Sequence, residues 1–219
     1  MGGPLAAGGA VITASMNNVG RLFAQHDDAS GFARGYFEYL ASVFERVDQD
    51  AVARFIEVLE SAREENRTVF FCGNGGSAAT ASHFQNDLTR WRTEPMRVVS
   101  LTDNVAVITA LANDYGYEHI FVMQLETLLR PKDVVVAISA SGNSPNVVNA
   151  IEFANRADAT TVGLTGFDGG RLAELVDVQV HVPTAPGEYG PVEDVHMAID
   201  HLVMSYLWEK WTRQSSPAT

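Results

Sequence analysis

Thiols are nearly missing from this chain: its 219 residues hold one cysteine, Cys72. A single thiol excludes an intramolecular disulfide. Cys72 closes the apolar run Thr68-Val69-Phe70-Phe71, so a packing role is expected of it rather than nucleophilic chemistry. Positive charge is scarce as well. Lysine and arginine total 15 against 27 aspartates and glutamates, a formal net charge of -12. No overall basic footprint for nucleic acid exists, and an anionic membrane should repel such a chain. No apolar run is long enough to span a bilayer. The start, Met1 to about Thr13, is rich in Gly and Ala and lacks the basic n-region of a secretory signal. The expectation is a cytoplasmic protein with neither a nucleic-acid nor a membrane partner.

What is there reads as globular: 46% hydrophobic and 19% charged residues, in a length that suits one large domain. Residues 1–30 are expected to form a flexible tail or the start of a first helix, and 31–214 a single domain. Helical spacing marks Gly31 to about Val47, with Phe32, Tyr36, Leu40 and Val43-Phe44. A second amphipathic stretch runs from Asp50 to about Glu65, with Asp48 and Asp50 as starters. Short apolar runs then alternate with helical patterns. The runs are Thr68–Cys72, Arg97–Leu101, Val134–Ile138, Thr160–Leu164 and Val176–Val182. The helices between and after them are expected at about Ser77–Trp91, Val105–Asn113, His119–Leu129, Pro145–Ala157 and Pro191–Trp211. This alternation predicts an α/β fold, a parallel sheet of about five strands flanked by helices. Ligands of such sheets bind beyond the carboxyl ends of the strands.

Two serine-glycine loops fall at those ends. One is Cys72-Gly73-Asn74-Gly75-Gly76-Ser77; the other is Ser139-Ala140-Ser141-Gly142-Asn143-Ser144. Each offers small hydroxyls, bare backbone N–H groups and a helix N-terminus, an arrangement suited to a phosphate. Ser144 reads as an N-cap and Pro145 as the first helical residue. Gly142 lets the backbone approach a ligand. In so acidic a chain, a phosphorylated substrate must be held by such local features.

Candidate chemistry sits on two helices. His83 and Asp87 are four apart and share a helix face, either as a capping pair or as an acid/base or metal-ligand pair. The last helix carries Glu193, His196 and His201. His196 and His201 point to different sides, so at most one faces a given site. Asp168 is expected to orient the turn Thr165–Gly170, and Asn113-Asp114 to stop a helix. A rival reading exists, because Gly73-Asn74-Gly75-Gly76-Ser77-Ala78 fits a dinucleotide fingerprint with Asp103 as its ribose acid. Asp103 lies about 30 residues on rather than the usual ~20, and the second serine loop has no role in that scheme. No nucleotide cofactor is expected.

Taken together, these motifs resemble a known family. Gly73-Asn74-Gly75-Gly76-Ser77, His83-Phe84, Thr102-Asp103, Asn113-Asp114-Tyr115-Gly116, Ile138 to Ser144 and Leu164 to Gly170 are similar to sugar isomerase (SIS) domains. Within that family they most resemble the phosphoheptose isomerases, over about Ala33 to Trp211. The resemblance implies a homotetramer with sites shared between subunits and N-terminal helices used in its packing. It implies aldose–ketose isomerisation of sedoheptulose 7-phosphate through an enediol. An eight-carbon ketose phosphate is an alternative substrate, and a non-catalytic, regulatory sugar-phosphate binder an alternative function. It places the phosphate at Ser139, Ser141 and Ser144 and the sugar at Asn74 and Ser77; Gly75, Asp103, Asn143 and Glu193 are expected to share in binding the substrate. Asp87 becomes the base and His201 the proton donor. Some members bind zinc through the positions of His83, Asp87, Glu193 and His201, so zinc stays open here. Several positions depart from the family. Asp87 replaces a glutamate, Glu193 a glutamine and Ala140 a threonine, and Trp91 falls where an arginine is usual, with Arg90 and Arg92 beside it. The site is therefore more acidic than the family's.

Overall fold

The β-branched and aromatic runs become strands. They are β1 (Thr68–Gly73), β2 (Arg97–Ser100), β3 (Val134–Ser139), β4 (Thr160–Gly166) and β5 (Val178–Val182) in the computed structural model, which describes residues 17–90 and 95–215. They form one parallel sheet in the order β2-β1-β3-β4-β5. Val69 aligns with Val98 on one side and Val134 on the other. Val162 aligns with Val136 and Val178. The expected α/β class and five-strand sheet are present.

Eight α-helices surround the sheet among the described residues. They are α1 (Asn18–Gln25), α2 (Ala29–Phe44), α3 (Gln49–Glu64), α4 (Gly76–Thr89), α5 (Val105–Tyr115), α6 (Val122–Leu128), α7 (Pro145–Arg156) and α8 (Tyr189–Ser215). Asp48 caps α3 by accepting from the Asp50 N–H, and Gly116, at φ +99°, ends α5. The short helix α1 stands apart from α2, each with its own cap. Asn17 accepts from the Gly20 N–H, and Asp28 from the Gly31 N–H. The expected tail before Thr13 lies outside the described residues, as do Trp91 and Arg92.

Alternation along β1 sends its side chains to two separate cores. Val69 and Phe71 face α3, α4 and α8; Phe70 and Cys72 face α6 and α7. Cys72 is fully buried, and burial pushes its thiol up to about 12, far from a thiolate. On the first face Phe84 stacks on Phe71 at 4.7 Å and meets Phe55 edge-on at 5.9 Å. Buried Glu188 ties the N-terminal helices to the start of α8. Its carboxylate accepts from the Tyr39 hydroxyl, the Asn18 N–H and the Ala185 N–H.

Phe55 is wholly buried in this packing, so Phe55→Ala should cost roughly 3–5 kcal/mol of stability. Urea unfolding reads the loss. A loss under about 1 kcal/mol would mean the face repacks freely and is not the close-fitted core described.

Candidate active site

The strand order reverses between β1 and β3, and in open α/β sheets that crevice is where ligands bind. The loops after these two strands meet there. Asn74 Nδ2 donates to Asn146 Oδ1 at 2.9 Å, and Asn146 Nδ2 returns a bond to Asn74 Oδ1 at 2.8 Å. The Tyr117 hydroxyl also donates to Asn74 Oδ1, at 2.9 Å. Asn74 is thereby locked in one orientation. Helices α4 and α7 both start at this crevice, and neither has a side-chain N-cap bond. Ser144 does sit at the cap position with Pro145 after it, but its hydroxyl lies 3.4 Å from Ser139 Oγ instead of capping. Neither cap residue therefore covers its helix N-terminus, although in α7 the Val147 N–H donates to Asn146 Oδ1 at 3.0 Å.

Between them lies a cavity of about 130 Å³, lined by Asn74, Ser77, Ser139, Ser141, Ser144, Tyr189 and Glu193 among others. Gly142, at φ +64°, packs so tightly that a Cβ would overlap the Gly169 carbonyl. Three expected site residues stand outside this lining. Asn143 braces the loop, donating to the Ser141 carbonyl at 3.0 Å and accepting from the Arg171 N–H at 2.9 Å. Gly75 supplies the φ +55° turn into α4. Asp103 accepts from the hydroxyls of Ser82, Ser100 and Thr102 at the end of β2. Asp168 orients its turn through the Gly170 N–H, as expected.

A second cluster lies along α4 and α8. His83 Nε2 is 3.1 Å from His201 Nε2, 3.6 Å from Asp87 Oδ2 and 3.9 Å from Asp200 Oδ2. One ligand atom from each of the four falls within 4.8 Å of all the others, a set that could hold a metal ion. The expected metal set had Glu193 in place of Asp200, and the structure separates Glu193 from it. Glu193 lies two turns before Asp200 on α8, against Gly76 at the start of α4. A Cβ on Gly76 would overlap its carboxylate. There Glu193 lines the serine cavity, and burial, with Asp194 beside it, raises its pKa. Asp200, by contrast, is fully buried, and burial and neighbouring Asp87 push it up to about 8. Sequence reading missed Asp200, Asn146 and Tyr117. Only Asp200 left a signal, an acid on the apolar face that also carries Val192, Val195, Ile199 and Val203.

Comparison with known proteins agrees with this geometry. A family model described as SIS domain matches residues 35–166. The chain belongs to the SIS-domain family. A phosphoheptose isomerase from Rhodospirillum rubrum is 39% identical over 78% of this chain and 92% of that protein. Another, from Aliarcobacter butzleri, is 36% identical over 71% and 88%. Among solved structures, a phosphoheptose isomerase from Neisseria gonorrhoeae superposes with a TM-score of 0.76 at 29% identity. It covers 83% of this chain and all of that one.

In this SIS domain the remaining histidine of α8, His196, is structural. It is fully buried, and its Nε2 donates to the Thr165 carbonyl at 3.2 Å, tying α8 to the end of β4. Its Nδ1 is buried without a partner. Burial drives its pKa down to about 4. The unfolded chain takes up this proton near the ordinary value of 6.5, so the stabilisation is whole above that pH and is lost as pH falls toward 4. Between pH 7 and pH 5 the loss should be about 2 kcal/mol. Urea unfolding at both pH values, on wild type and His196→Gln, tests this. The variant should lack that share of the acid loss; an equal loss in both would refute the assignment.

Proposed function

We propose that this chain is a phosphoheptose isomerase, converting sedoheptulose 7-phosphate to an aldoheptose 7-phosphate. One observation carries the reading. A cavity with uncapped helix N-termini and four serines lies at one end of α4, and a His/Asp cluster lies further along the same helix. From Gly76 to His83 is seven residues of α4, about 10 Å along its axis. That span suits the distance from phosphate to carbonyl in an extended heptose phosphate. The similarity to proteins named phosphoheptose isomerase supports the same substrate.

Each end has its own task. Ser139, Ser141, Ser144 and the first-turn N–H groups hold the phosphate far from the reacting carbons. Asn74 and Ser77 orient the sugar chain; Glu193 accepts from its hydroxyls. Asp87 takes the C1 proton of the ketose while His201 gives a proton to the C2 carbonyl oxygen. The resulting enediol regains a proton at C2 and loses one from the C1 oxygen, leaving the aldose. Atoms and charge balance without an external oxidant. The helix-bound carboxylate and imidazole meet the need for a base and an acid near adjacent carbons.

The cluster of two imidazoles and two carboxylates is a donor set that suits zinc. Bound there, zinc would polarise the carbonyl as a Lewis acid. The chain is further proposed to act as a homotetramer packed through its N-terminal helices and α8. Exposed Phe23, Phe37, Leu202 and Trp208 on those helices support this. Among the described residues, no helix is long and apolar enough to cross a membrane.

Two sets of variants test the reading. Replacing Ser141 and Ser144 together by alanine removes two hydroxyl contacts to a charged group, each worth roughly 1–3 kcal/mol. Calorimetry should show weaker binding of the sugar phosphate with an unchanged unfolding midpoint. Unaltered binding would remove the phosphate from this cavity. Asp87→Asn and His201→Asn should each lower turnover of sedoheptulose 7-phosphate by roughly 10²–10⁴-fold while substrate binding survives. If wild type turns over no phosphorylated ketose, and Asp87→Glu restores none, the isomerase reading fails.

A further inference from the structure

Asp200 is the most anomalous group in the molecule. It is wholly buried, and neither carboxylate oxygen has a hydrogen-bond partner. Buried carboxylates are costly unless paired or coordinated. Neighbouring Asp87 compounds the cost by adding a like charge. Asp87 itself is better provided for, since its Oδ1 accepts from Asn86 Nδ2 at 2.8 Å. His83 Nε2 lies 3.9 Å from Asp200 Oδ2, too far for a hydrogen bond. Between them is the separation expected of two groups that share an ion.

We infer that Asp200 is the carboxylate ligand of a divalent metal in this chain, completing a three-residue site with His83 and His201. Glu193 has no part in it, because its carboxylate rests against Gly76 at the serine cavity. Asp87 is left to proton transfer. This division resolves a conflict in the site's chemistry. A carboxylate whose lone pairs bind a metal is a poor base, which this division spares Asp87. By the same rule His201 would be a ligand rather than the proton donor in the metal-loaded protein, where the ion's Lewis acidity would polarise the carbonyl instead. Two imidazoles and one carboxylate leave a coordination position open, the pattern of zinc sites that act on substrates. The inference concerns the metal end of the isomerase reading above and is tested without substrate, so its failure leaves that reading standing.

The test is zinc titration of the full-length, chelator-stripped protein by calorimetry. Wild type, Asp87→Asn and Glu193→Gln should each bind one zinc per chain, with affinities within about tenfold of one another. Asp200→Asn should bind more than about 100-fold more weakly, since loss of even an outer-shell partner costs about 10–100-fold. Thermal unfolding supplies a second readout. Without metal, Asp200→Asn should melt no lower than the wild type, because the buried carboxyl it replaces has no hydrogen bond to lose. Added zinc should raise the melting temperature of wild type but not of the variant. A merely structural Asp200 would not produce that difference. Asp200→Ser, which also lacks the carboxylate, serves if Asp200→Asn does not fold. The inference is overturned if wild type binds no zinc, if Asp200→Asn binds it as wild type does, or if Asp87→Asn or Glu193→Gln loses it equally.

Discussion

The side-by-side packing of α4 and α8 is the constraint on which the site depends. Gly76 meets Glu193 near the start of both helices, and His83 and Asp87 meet Asp200 and His201 two turns on. The two helices therefore run in the same direction with a matched register. The lack of a Cβ at Gly76 permits the approach at one end. Lower down, Phe84 and Leu88 of α4 belong to the same apolar core as Val195, Ile199 and Val203 of α8. A seven-residue step on each helix keeps the same face forward, so Glu193 and Asp200 of α8 meet Gly76 and His83 of α4 two turns apart. His196 adds a further fix by tying α8 to the carbonyl end of β4.

Electrostatics follow from this geometry rather than from composition. A chain of net charge -12 is a poor host for an anion at long range. In the proposed site, affinity for phosphate would have to come from dipoles within a few ångströms, which two helix N-termini would supply. Both helices begin at the switch point because β1 and β3 are neighbours there. Among the described residues no arginine lines the cavity, so in the proposed site the partial charges of N–H groups and serine hydroxyls would stand in for cations. Glu193 sits at the rim of this field. Burial, with Asp194 beside it, raises its pKa.

Much of this was legible in the sequence. Strands β1, β3 and β4 announce themselves as runs of β-branched and aromatic residues, and each run stops at a glycine or serine that opens a loop. The serine loops and the His83–Asp87 spacing were readable because their meaning is local: a helix repeat or a strand–turn–helix junction. Other features needed the third dimension. Glu193 and Asp200 are both acids on α8, and nothing local says which of them faces His83. The register against α4 decides, and it depends on which residues lack bulk at the contact. Asn143 sits in the serine loop like its neighbours, yet its side chain turns back to hold Arg171. The lock on Asn74 joins residues 43 and 72 positions away, Tyr117 and Asn146, and no pattern in one segment foretells such a bond. Helix α1 escaped notice because eight residues carry too few turns for periodicity to stand out.

The separation of the two ends has a kinetic meaning. Phosphate binding at the serine loops contributes equally to ground and transition states unless the chain between is held in one conformation. Asn74, fixed by two partners, is placed to provide that hold midway along the crevice. In the proposed reaction, rigid positioning would turn the energy of the remote phosphate into correct placement of C1 and C2 against Asp87 and His201. A shorter ketose phosphate could occupy the serine cavity equally well but would leave its carbonyl short of the cluster. Chain length would then be read in turnover more than in affinity, and α4 is the element that sets the length.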